Sequence, residues 1–192
     1  MKTLKITAPD DFHTHLRDTD ALTRTVSDQA RQCDRALVMP NLKPAIITID
    51  RLVHYYERIK AHIPEGLNFT PLMTLYLTQS MHASTITEAA NKRLLTACKY
   101  YPAGGTTNAE HGVKSLKDIP HLLGAMQHAD IPLCLHGEVI TDGVDIFDRE
   151  TRFVETELTW LLENYPNLRI VLEHVSTKAA VDFVSAAPKN VA

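Results

Sequence analysis

Leu168-Arg169-Ile170-Val171-Leu172-Glu173-His174-Val175 decides how the rest of the chain reads. Ile170-Val171-Leu172 is apolar on both faces, as a strand covered on both sides in a parallel sheet must be, and a histidine closes the run. Working outward, Ala36-Leu37-Val38-Met39 has the same character. Short β-rich runs occupy Leu4–Thr7, Arg35–Met39, Asn68–Tyr76, Leu94–Tyr101 and Pro132–His136. Helical patterns alternate with them. Ile49–His62 follows Thr48 as an N-cap and stops before Pro64, and Ser84–Lys92, Leu116–His128 and Thr177–Ala186 are shorter. Ile146–Asn164 is apolar at Phe147, Phe153, Leu158, Trp160, Leu161 and Leu162. Strict β-then-α alternation with short connections predicts six right-handed parallel βα units. No linker, low-complexity tract or repeat interrupts 1–192, so one domain is predicted. After Ala187-Pro188, Lys189-Asn190-Val191-Ala192 reads as a turn and the opening of a seventh strand. The pattern is α/β and predicts a partial (β/α)8 TIM-barrel, strands one to six and the start of the seventh, cut before its last quarter. An open six-stranded α/β sheet is the alternative.

The chain has 192 residues, 44% hydrophobic and 22% charged, enough to bury one core. A net charge of -3 and no Lys/Arg run longer than a pair argue against nucleic acid or an anionic membrane as partner. Met1-Lys2-Thr3-Leu4-Lys5-Ile6 lacks the apolar core of a signal peptide, and no stretch reaches the roughly 18 apolar residues of a spanning helix. Cys33, Cys98 and Cys134 are odd in number and far apart, which fits reduced thiols in a cytoplasmic protein.

Ten histidines are the unusual feature, and position must sort ligands from bystanders. In Asp11-Phe12-His13-Thr14-His15-Leu16-Arg17, residues two apart in extended chain point the same way, so His13 and His15 can present both imidazoles to one point. Lys99 sits late in Leu94–Tyr101. A charged, unpaired lysine in an apolar strand is costly. Either it snorkels to an edge, or it is carbamylated into a carboxylate-like anion able to bridge two metal ions. His136 ends the fifth strand and His174 the sixth, at the edge where barrel chemistry gathers. Each alone reads equally as a hydrogen-bonded structural histidine. Together, His13, His15, Lys99, His136 and His174 fall at one edge of strands one, four, five and six. Imidazoles with a shared anion suit zinc, and two ions rather than one.

The set His13-Thr14-His15-Leu16-Arg17-Asp18, Val38-Met39-Pro40-Asn41-Leu42, Lys99-Tyr100-Tyr101-Pro102, Thr106-Thr107-Asn108, His111-Gly112-Val113, Leu135-His136-Gly137-Glu138, Phe147-Asp148-Arg149-Glu150 and Glu173-His174 resembles dihydroorotase of the bacterial, homodimeric type, in the amidohydrolase superfamily. The resemblance runs in order through the whole chain. It implies a metal-dependent amidohydrolase barrel with two Zn2+ per complete site, one on His13 and His15, the other on His136 and His174, bridged by carbamylated Lys99. It implies substrate contacts from His15, Arg17, Asn41, Thr106, Thr107 and His136, with Arg17 and Asn41 on the carboxylate of dihydroorotate. An Arg fork grips a carboxylate through two hydrogen bonds. Thr106 and Thr107 fall in a loop containing Gly104-Gly105 that resembles the mobile substrate-covering loop of this type. The implied reaction is the reversible cyclisation of N-carbamoyl-L-aspartate to L-dihydroorotate in pyrimidine (UMP) biosynthesis, by a cytoplasmic homodimer when full length. The family's catalytic aspartate follows strand eight, beyond residue 192. The resemblance makes that aspartate a ligand of the first metal as well, so no catalytic base is assigned in this chain, and the chain alone is expected to have an incomplete metal site and little or no activity. Asp142, Asp145 and Asp148 are poor substitutes by position.

Bland readings stand beside these. His54, His62, His82, His121 and His128 read as surface or half-buried, His111 as a structural hydrogen-bonding residue, and Trp160 as core. Glu138 can orient a ligand. Cys98 and Cys134 are expected to point away from the ligands, toward the helices. Two other functions stay open: a hydantoinase-like or allantoinase-like cyclic amidohydrolase, which Arg17 and Asn41 count against, and a non-catalytic barrel subunit.

Overall fold

The computed structural model describes residues 3–192. Six strands, β1 (Asp10–Thr14), β2 (Arg35–Val38), β3 (Thr70–Tyr76), β4 (Ala97–Tyr100), β5 (Leu133–Leu135) and β6 (Ile170–Leu172), lie side by side in sequence order, all parallel. The helices are α1 (Leu22–Ala30), α2 (Ile49–Ala61), α3 (Ala83–Asn91), α4 (Pro120–His128), α5 (Arg149–Phe153), α6 (Thr159–Asn164) and α7 (Lys178–Ala186), with π-helical Val154–Leu158 joining α5 to α6. Thr48 caps α2 by accepting from the Arg51 N–H, and Thr177 caps α7 by accepting from the Ala180 N–H. No described helix is long and apolar enough to cross a membrane.

Sequential order already disfavours an open doubly wound sheet, which reverses direction at a switch point. Curvature settles the matter. Strands spaced about 4.8 Å apart would put β1 about 24 Å from β6 in a flat sheet. Yet His13 Nδ1, on β1, is 2.9 Å from Oε1 of Glu173, just past β6. The sheet therefore curls through most of a barrel. Val191 adds a parallel bridge to Ile170, and the Leu172 N–H donates to the Ala192 carbonyl, so a seventh strand begins where the sequence pattern placed it.

Alternation sorts the strand side chains into two layers. Val38, Leu75, Cys98, Leu133, Leu135, Ile170 and Leu172 face outward into one core with Leu22, Leu52, Ile59, Leu122, Met126 and Leu158 of the helical shell. Each fully buried Leu or Ile there stabilises the fold by about 1.5–3 kcal/mol. Leu37, Met39, Ala97 and Cys134 face inward with Leu72 and Val171.

Four sequence expectations need correction. Leu4–Thr7 is not a strand: Leu4 and Ile6 are exposed, and pairing with β2 starts at Asp10. A helix the pattern did not predict, α1, fills the first crossover. It buries only Leu22, Val26 and Ala30, a stripe too thin to stand out. The fifth helical segment begins at Arg149, leaving Ile146 and Phe147 exposed in the preceding loop. Cys134 faces the barrel interior, because it lies two residues, one full pleat, before His136. Cys98 does face the helices.

Candidate metal centre

The centre is built at the C-terminal edge of the strands. A bulge in β1 sets its first two side chains: Asp11 pairs with Ala36 but Thr14 with Val38, three residues against two. The Thr14 hydroxyl turns outward and donates to Gln29 Oε1 of α1 (3.1 Å), while Gln29 Nε2 donates to Asp11 (3.0 Å). His13 and His15 turn inward, their Nε2 atoms 3.2 Å apart. Two nitrogens on one tetrahedral zinc at about 2.05 Å each stand about 3.3 Å apart.

His174 is brought in by a break in alternation. Val171 and Glu173 share the inward face of β6, and His174 would point away. Its backbone adopts a left-handed φ of 42°, which swings the imidazole back. Its ring centroid lies 5.3 Å from that of His13 and 4.8 Å from that of His136. His136 follows β5, and Gly137 behind it permits the approach of β6: a Cβ there would stand 2.5 Å from Leu172 Cδ1. Lys99, fully buried on β4, points inward, with its Nζ 5.0 Å from the centre of the Tyr101 ring.

Glu173 ties these groups together, a role that the sequence pattern does not reveal. Its Oε2 is ion-paired with Lys99 Nζ. Burial raises the Glu173 carboxyl, but the contacts with His13 and Lys99 more than offset that and hold it below the usual range. Burial lowers Lys99, with Glu173 opposing the shift. Burial also pushes His15, His136 and His174 down to about 4, helped by the Arg17 charge for His15 and the Lys99 charge for the other two. At neutral pH these three rings are neutral and their lone pairs are available.

A cation fits this set. His136 Nε2 is buried without a hydrogen-bond partner, His13 Nδ1 and Glu173 Oε1 meet only each other, at 2.9 Å, and His13, Glu173 and His174 can offer ligand atoms within 4.8 Å of one another. A buried polar atom left unpaired costs about 1–3 kcal/mol. The groups are arranged to bind something else.

The remaining candidates divide. Arg17 is exposed beside His15, its carbonyl held by the Tyr55 hydroxyl of α2 at 2.7 Å. Asn41 is buried, its carboxamide against His15. Thr107 reaches it only through its backbone carbonyl, 3.0 Å from Asn41 Nδ2, and Thr106 makes only a backbone bond to Ala109. His111 is exposed, and Glu138 lies 3.5 Å from His136 Nε2. Asp142, Asp145 and Asp148 are exposed.

No protein-family model matches the chain. Sequence relatives do. The dihydroorotase of Coxiella burnetii is 55% identical over 190 residues, which is 99% of this chain and 55% of that protein. This chain belongs to the dihydroorotase family. Solved structures agree. Dihydroorotase of Campylobacter jejuni superposes with a TM-score of 0.85 at 33% identity, covering 98% of this chain and 56% of that one. Dihydroorotase of Saccharomyces cerevisiae, in complex with 5-fluoroorotic acid, gives 0.86 at 30% identity, covering 95% and 54%. The chain thus spans about half the length of the dihydroorotases it matches.

Proposed function

We propose that this chain carries the metal-binding part of a dihydroorotase interconverting N-carbamoyl-L-aspartate and L-dihydroorotate in pyrimidine synthesis. The observation that carries the reading is the convergence of His13, His15, Lys99, His136 and His174 from four strands at one rim, in a chain half identical to curated dihydroorotases. His13 and His15 would hold one zinc ion and His136 and His174 a second, with carbamylated Lys99 as their shared ligand. Bound zinc supplies a Lewis acid for the ring carbonyl and a more acidic water.

The chain's own groups prepare that arrangement. Burial disfavours the Lys99 ammonium, and the neutral amine can add carbon dioxide, releasing one proton to leave a carbamate. Lys99 then no longer pairs with Glu173, whose carboxylate is left to hold His13 through Nδ1. This orients the ring and leaves Nε2 for the metal. Arg17 and Asn41 sit beside His15 to take the substrate carboxylate, with the Arg fork gripping both oxygens. The proton-handling aspartate that the family resemblance requires matches no residue in 1–192. The likeness to the homodimeric type extends the proposal to a dimer, which sedimentation tests.

Zinc titration into metal-free protein tests the centre, and calorimetry with dihydroorotate tests the substrate. One to two ions per chain are expected, since the resemblance places one further ligand outside 1–192, and Arg17→Ala is expected to weaken dihydroorotate at least about tenfold with zinc retained. Less than one zinc ion, or hydantoin bound as tightly as dihydroorotate, would overturn the reading.

A further inference from the structure

Residues 101–113 form a closed strap over the rim. Its base is joined by the Pro102–Val113 bridge and by the Val113 N–H donating to the Tyr101 carbonyl at 3.1 Å. Inside it, Gly104 N–H donates to the Ala109 carbonyl (3.0 Å), and Ala109 is buried against Tyr76 and Tyr101. Gly112 has no room for a side chain, since a Cβ would stand 2.4 Å from the Tyr101 carbonyl oxygen. Two hydrogen bonds join this strap to Asn41 and run in opposite senses. Asn41 Nδ2 donates to the Thr107 carbonyl at 3.0 Å, and Asn108 Nδ2 donates to the Asn41 carbonyl at 2.9 Å. Asn108 has a left-handed φ of 59°, which Asn tolerates better than most residues.

The geometry points to Asn108 as a positioning residue that acts through Asn41 on the substrate carboxylate; this rests on the dihydroorotase reading above. An amide nitrogen carries two protons. One proton of Asn41 Nδ2 goes to Thr107, no hydrogen bond is made by the second among the described residues, and Oδ1 is buried on the carboxamide that lies against His15. Asn108 fixes the Asn41 backbone while the Thr107 carbonyl fixes its carboxamide, so the spare N–H is aimed in advance. Without Asn108 the strap and Asn41 part, and the carboxamide is free to flip. A flipped amide would turn an acceptor oxygen toward a carboxylate. Preorganisation of this kind appears in substrate affinity and leaves turnover of the bound complex alone.

The test is Asn108→Gly, which keeps the backbone conformation and removes the donor, measured in the zinc-loaded protein. Asn108→Asp, which tolerates the same φ and puts an acceptor against the Asn41 carbonyl, serves if the first does not fold. Amide exchange across 103–113 should quicken. Kd for dihydroorotate, read by calorimetry, should rise about tenfold, the net worth of one hydrogen bond, with bound zinc and the affinity for hydantoin, which has no carboxylate, unchanged. Unchanged exchange refutes the clasp whatever the protein's substrate. Faster exchange with Kd for dihydroorotate unmoved, or with hydantoin weakened equally, refutes the positioning role. If the unaltered protein does not bind dihydroorotate, the functional reading fails and the carboxylate role falls with it, while the exchange data still report on the clasp.

Discussion

The two ends of the barrel treat charge in opposite ways. At the N-terminal ends of the strands, Arg35 pairs with Asp10 and Arg169 with Asp130 (2.7 Å), partly exposed pairs that join neighbouring strands or the loops before them. At the C-terminal ends, His13, Lys99, His136 and Glu173 are drawn inward, where Glu173 alone serves both His13 and Lys99 and His136 Nε2 is buried without a hydrogen bond. One end has its charges paired within the chain. The other bears a desolvation cost that its internal pairs through Glu173 offset only in part. The contrast locates function by energetics alone, independently of any motif.

The largest expected effect comes from Lys99. Lys99→Ala should abolish binding of the shared zinc pair, read as metal per chain, and leave Glu173 buried without its cation at a cost of about 3–5 kcal/mol in urea unfolding. Lys99→Met with Glu173→Gln should recover most of that stability and none of the zinc. Recovery of both would mean that the C-terminal rim is built for stability like the other. Gly137→Ala comes next, expected to cost about 1–3 kcal/mol because Leu172 and Phe153 must yield to the new methyl group. An unshifted melting temperature would show that the approach of β6 to His136 is looser than the coordinates place it.

Acid offers a subtler test. His15, His136 and His174 titrate near 4 when folded and near 6.5 when unfolded. Below about pH 6.5 the unfolded chain takes up protons that the folded chain refuses, so metal-free protein should lose stability from there down toward about pH 4. Equal urea midpoints at about pH 7 and about pH 5 would contradict the buried rim. The smallest effect belongs to the other end: Asp130→Asn keeps its turn, loses one exposed ion pair, and should cost under about 1 kcal/mol.

The sequence was most legible where hydrophobicity and structure say the same thing. β2 to β6 each centre on residues buried on both faces, and their order and parallel sense followed from the alternation. β1 was misplaced for the converse reason. In Asp10-Asp11-Phe12-His13-Thr14 the inward residue is a candidate ligand and Phe12 is exposed, so the apolar signal that marks a strand is missing where the chemistry lies. Glu173 was passed over because strict alternation lets only one of two adjacent residues face a site, and only the backbone turn at His174 admits both. Cys134 follows the same alternation inward, sharing the face of His136 two residues on rather than the helical face expected of it.

The bulge in β1 has a further consequence. Counting along a regular ladder from Asp11, which faces α1, His13 would fall on the outer face with Val38 and meet the helices. The extra residue reverses the parity of everything after it. Deleting Phe12 would leave a regular ladder in which Asp11 and Thr14 still face α1 and His13 and His15 still face inward, so the bulge is what lets this strand carry one residue more than its partner without turning the imidazole pair toward the helices.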